Sequence, residues 1–62
     1  MNYDYKGFEK ATQMKRKFLA DKFEVTIHVL NQAAHKKNIS ANLAIKINDE
    51  FPELYNKFRI KE

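Results

Sequence analysis

Apolar residues in the first third of the chain recur at steps of three and four. Tyr5, Phe8, Ala11, Met14, Phe18 and Leu19 fall on one half of a helical cylinder, while Lys6, Lys10, Gln13 and Lys17 stripe the other half. This spacing predicts an amphipathic helix over residues 5–20. Gly7 weakens its first turn by up to about 1 kcal/mol relative to alanine. The basic stripe reads first as a solvated face and second as a phosphate-binding one.

Residues 21–37 support two patterns. Phe23, Val25, Ile27 and Val29 alternate with polar neighbours, which is the period of a strand. Wound as a helix, the same segment stacks Phe23, Ile27, Leu30 and Ala34 on one line and Val25, Val29 and Ala33 on a second. Asp21 and Glu24 have the spacing of a capping box. A strand here finds no partner elsewhere in the chain, and a lone strand is unstable. The helix is therefore preferred, central and apolar over more than half its circumference. The alternative is an α+β fold with a strand at 23–29, or a strand paired with a second copy as in ribbon-helix-helix dimers. The segment between Val29 and Asn38 is short for the first helix of that fold.

Asn38 suits a left-handed turn, and Lys36 and Lys37 suit the negative end of the helix before it. Ile39 then reaches back to the core, Ser40 caps the next helix, and Leu43, Ala44, Ile47 and Phe51 form its buried face. Pro52 either opens a separate short helix or kinks a longer one, with the apolar line continuing through Leu54, Tyr55 and Phe58. The expected fold class is all-α. It is a small bundle of three to four short helices forming one domain over residues 1–62, with a helix-turn-helix-like corner near Asn38.

Composition supports helices joined by short turns, because the 62 residues include one glycine and one proline. A chain of this length buries only about 60% of the surface its unfolded form exposes. Eight aromatic residues supply the bulk of a core. The absence of cysteine excludes disulfides and thiolate metal sites. No run of about 18 apolar residues is present, and MNYDYKGFEK lacks the apolar centre of a signal peptide, so a cytoplasmic protein without a membrane span is expected. The net charge of +4 is uneven. Basic side chains dominate residues 1–47, and Asp49, Glu50 and Glu53 make an acidic corner.

Within residues 31–49, Ala34 is the small residue near the end of a helix, Asn38 the turn residue four positions on, Ile39 the apolar residue after it, and Ile47 the later anchor. To that extent the segment resembles the helix-turn-helix motif. It departs from the motif in having Asn38 for the customary glycine, Lys37 at a commonly apolar site and Ala44 where a larger aliphatic usually packs. The resemblance implies that the helix after Ser40 lies in the major groove of double-stranded DNA, the leading partner, with Ala41, Asn42, Ile45 and Lys46 as base-contact candidates. Asparagine suits adenine, lysine suits guanine, and small or aliphatic side chains suit the thymine methyl. Lys10, Lys17, Lys36, Lys37 and Ser40 are the phosphate-contact candidates. Asp49 and Glu50 oppose this reading, because they extend the same arc.

The rival reading is a helical protein-interaction module, an inhibitor or adaptor of a larger protein. Its surface would be the Val25, Val29 and Ala33 line, which meets a protein partner or a homodimer mate, with Tyr3 and Tyr5 adding apolar area with a polar tip. Catalysis has little to work with. Beside tyrosine the hydroxyls are Thr12, Thr26 and Ser40, and no glycine-rich phosphate loop exists. His28 and His35 lie roughly 10 Å apart along a helix, too far to share a metal. No enzyme, metal or cofactor is expected.

Overall fold

A computed structural model describes residues 1–60. The fold is an all-α bundle of five short helices: α1 (Tyr5–Thr12), α2 (Arg16–Phe23), α3 (Ile27–Lys36), α4 (Ala41–Glu50) and α5 (Pro52–Lys57). α4 packs on α5 and α2, and α3 packs on α2 and α1. No helix among the described residues is long and apolar enough to cross a membrane.

The count is five because the segments expected as two helices over 5–20 and 21–37 form three, with breaks at Gln13 and Glu24 and the expected boundary at 20/21 inside α2. The helix expected over 5–20 stops at Thr12, whose hydroxyl donates to the Glu9 carbonyl at 2.7 Å and accepts from Met14 N at 3.2 Å. That side chain competes with the main-chain ladder, and Gln13 turns left-handed with φ 58°. The helix expected over 21–37 is interrupted at Glu24, left-handed with φ 56°. Glu24 N donates to the Asp21 carbonyl and Val25 N to the Ala20 carbonyl at 3.0 Å, which is the Schellman pattern of a helix stop. Asp21 therefore lies inside α2 and caps nothing, so the expected Asp21–Glu24 box does not form. Thr26 caps α3 instead, accepting from Val29 N.

This break also explains the strand-like alternation of residues 23–29. Phe23 is buried at the end of α2, Val25 is partly buried in the connection, and Ile27 opens α3 on the outside, 47% exposed. No strand forms there.

Ser40 caps α4 by accepting from Leu43 N at 3.2 Å, and Ile39 is buried, both as expected. Lys37, not Asn38, takes the left-handed conformation, with φ 53°. The reason is that Asn38 bridges in antiparallel fashion to Asn2, which requires an extended residue. Pro52 occupies the first turn of a separate helix, and Phe51 alone forms the joint between α4 and α5.

Residues 1–4 act as a strap. Tyr3 N donates to the Lys37 carbonyl at 2.9 Å, and Asp4 N donates to the Phe58 carbonyl at 3.0 Å. The strap thus joins the α3–α4 turn to the segment after α5. Tyr3 is fully buried beneath it, stacked on Tyr55 at 5.8 Å. Phe8 meets Phe51 edge-on at 5.4 Å, and Leu30, Leu43 and Ile47 complete the centre. Ala11 and Phe18, expected in the core, are exposed, because the break at Gln13 rotates α2 out of register with α1.

Candidate nucleic-acid interface

α3, a four-residue turn of Lys37 to Ser40, and α4 form the helix, turn and helix of the expected unit. Ala34, Ile39, Ala44 and Ile47 are buried, so the small residue and the apolar anchors hold the corner from inside. Leu43, Ala44 and Ile47 bury one side of α4, which leaves Ala41, Asn42, Ile45, Asn48 and Asp49 exposed on the other, with Lys46 partly buried at its edge. Ile45 is 60% exposed. The structure therefore brings all four base-contact candidates to one side of α4.

The acidic end of that face is partly neutralised. The Lys22 ammonium lies 3.2 Å from the Glu50 carboxylate, linking α2 to the last turn of α4. Both side chains are well exposed, so the pair contributes little stability. Its effect is to lower the negative field at the C-terminal end of the face. Asp49 is exposed and lies near Lys46 and Lys22.

The phosphate-contact candidates divide. Lys36 and Ser40 line a groove between α3 and the start of α4, together with His28, Gln32 and Asn38. Gln32 Nε2 and His28 Nε2 are 3.0 Å apart, one turn from each other along α3. Lys37 stands exposed at the turn. Ser40 spends an acceptor lone pair on its cap and keeps its hydroxyl hydrogen as a donor. Lys10 lies instead in a hollow between α1 and α2, and Lys17 in one between α2 and α3. The five candidates do not share one surface depression.

The partner-interface candidates are mostly placed elsewhere than expected. Tyr3 is fully buried under α5, Tyr5 is fully buried beside Phe8 on α1, and Ala33 is buried where α3 meets the rest of the bundle. None of the three offers a surface to a partner. Val25 is partly buried and Val29 is exposed. Burial pushes both phenols well above the ordinary tyrosine value, and for Tyr5 the neighbouring Glu9 charge adds to the rise.

Two features escaped the reading of the sequence. The first is the Arg16 guanidinium, which donates from Nε and Nη2 to the two oxygens of Glu9 at 2.9 and 2.8 Å, and from Nη1 to Asn31 Oδ1 at 2.8 Å. Glu9 holds the Arg16 guanidinium in its charged form more firmly than usual. This side chain joins α1, α2 and α3. Its seven-residue spacing from Glu9 spans a break that one continuous helix would not contain. The second is the pair of exposed apolar residues Phe18 and Ile27, which flank the hollow between α2 and α3. Among the described residues, no group of three or more His, Cys, Asp or Glu stands together as a metal site. Compared with family models, curated proteins and solved structures, the chain has no match.

Proposed function

We propose that this protein binds double-stranded DNA by placing the exposed side of α4 in the major groove, and acts as a small regulator in the cytoplasm. The observation that carries this reading is Ile45. A β-branched aliphatic, 60% exposed, sits between Asn42 and Lys46 on a helix whose core contacts are complete without it. Such a side chain lies outside the buried core, whereas beside a thymine methyl it is covered. Asn42 supplies a donor and acceptor for adenine, and Lys46 a cation for guanine. Lys36 and Lys37, at the turn that leads into α4, neutralise phosphates and fix the register.

Affinity for duplex DNA tests this reading. Two phosphates neutralised per copy give a slope of about −2 for log affinity against log salt. Lys46→Ala or Asn42→Ala relaxes base preference by about 1–3 kcal/mol, and Lys36→Ala weakens all sequences alike and flattens the salt slope by about 1. No duplex binding at low salt, or binding indifferent to these substitutions, removes α4 as the reader.

A further inference from the structure

We propose that a second copy of this chain docks on the corner between α2 and α3, each copy inserting Phe18 into the other's hollow about a two-fold axis. The hollow, of about 480 Å³, is floored by Ala20 and Val25 and walled by Phe18 and Ile27. Phe18 is 51% exposed, so a projecting ring and a recess floored by a small residue lie side by side on one surface. That arrangement is self-complementary, as an isologous interface requires.

Charge makes the same assignment. Lys17 and Asp21 rim the hollow one helical turn apart on α2, yet they form no ion pair, and the Lys17 ammonium rests 5.2 Å over the Phe18 ring. Lysine placed N-terminal to the acid is the weaker orientation for pairing within a helix. Two antiparallel α2 helices crossing level with Leu19 bring Lys17 of each copy to Asp21 of the other. One symmetry operation therefore matches opposite charges, with an exposed Phe18 ring beside the paired charges on each copy. The partner is a second copy of this chain because one surface supplies both halves of each match.

The hollow and its rim are a small part of the 4447 Å² surface. An interface well under about 800 Å² per partner is weak, so dissociation at roughly 0.1 mM is expected. This surface is separate from the exposed side of α4, and the proposal stands without DNA binding.

Sedimentation equilibrium of the full chain, without DNA and up to about 1 mM, tests it. The expected result is a monomer–dimer equilibrium that Phe18→Glu abolishes, with helix content by circular dichroism unchanged. Lys17→Asp and Asp21→Lys each weaken the dimer about tenfold or more, and the double variant Lys17→Asp/Asp21→Lys recovers it. The charge exchange keeps the test decisive even where Phe18→Glu fails to fold. A monomer throughout the range, a dimer indifferent to Phe18→Glu in a folded protein, or a double variant no better than the single ones overturns the proposal.

Discussion

Met1 and Ile39 exchange two hydrogen bonds: Ile39 N donates to the Met1 carbonyl at 2.9 Å, and the Met1 ammonium donates to the Ile39 carbonyl at 3.1 Å. The first residue is thereby held against the turn that separates α3 from α4. Ile39 is itself buried, so this exchange joins the strap to the core. Tyr3 anchors the strap from below.

Tyr3→Ala is expected to destabilise the protein by about 3–5 kcal/mol, the cost of deleting a buried aromatic ring. In so small a domain that approaches the whole stability margin. Tyr3→Phe is mild by contrast, because the hydroxyl reaches the Leu54 carbonyl at only 3.4 Å. Urea unfolding of the two variants checks the difference. Equal losses would show that the hydroxyl, not the ring, holds the strap.

Tyr5→Phe should stabilise the protein by about 1 kcal/mol, because the Tyr5 hydroxyl is buried with no hydrogen-bond partner among the described residues. The same burial sets a pH dependence. Tyr5 and Tyr3 both keep their protons to higher pH in the fold than in the unfolded chain. Their contribution is therefore fully present below the unfolded value of about 10 and is lost as pH rises above it, at about 1.4 kcal/mol per unit for each phenol. Melting temperatures measured from pH 8 to 11 should fall at the alkaline end, less steeply in Tyr5→Phe.

Gly7→Ala should destabilise, although alanine is the better helix former by about 1 kcal/mol. A methyl group there would collide with the Asp4 carboxylate and come within 2.9 Å of the Phe58 ring. Asp4 caps α1 by accepting from Gly7 N at 3.1 Å, so the collision strikes the cap as well as the packing of the segment after α5. A thermal melt decides the sign, and a higher melting temperature would show that Phe58 moves aside freely.

Glu24→Gly should stabilise by about 1 kcal/mol. Glu24 is exposed and left-handed, a conformation that costs a residue with a Cβ roughly 1–2 kcal/mol and costs glycine nothing. Chemical denaturation gives the measurement. Loss of stability would mean that the Glu24 side chain does more than occupy the turn.

Ser40, Ile39 and the buried side of α4 were legible because each signal is local. A hydroxyl before a periodic run caps a helix, and Leu43, Ala44 and Ile47 share one side at 100° per residue. Leu30 was legible in the same way, although its neighbours Ile27 and Val29 in the two apolar lines turn outward. The stops at Gln13 and Glu24 were not legible, whereas the one at Lys37 falls a single residue before the turn expected at Asn38. Glycine and asparagine are the residues that announce a left-handed turn, and these three positions carry neither. The helix, turn and helix of α3 and α4 followed the same local signals. The Phe18 and Ile27 surface came into view only once the breaks had rotated α2 and α3.

The amino-acid order by itself determined that the chain is helical, that α4 begins after Ser40, and which of its sides is buried, because helical periodicity and capping act within a few residues. Tertiary structure alone decided where the first two helices end, that Tyr3 and Tyr5 lie inside, and that Phe18 lies outside. Left-handed glutamine, glutamate and lysine are strained in isolation. They persist here because the strap, the Arg16–Glu9 pair and the aromatic core hold the helices on either side of them.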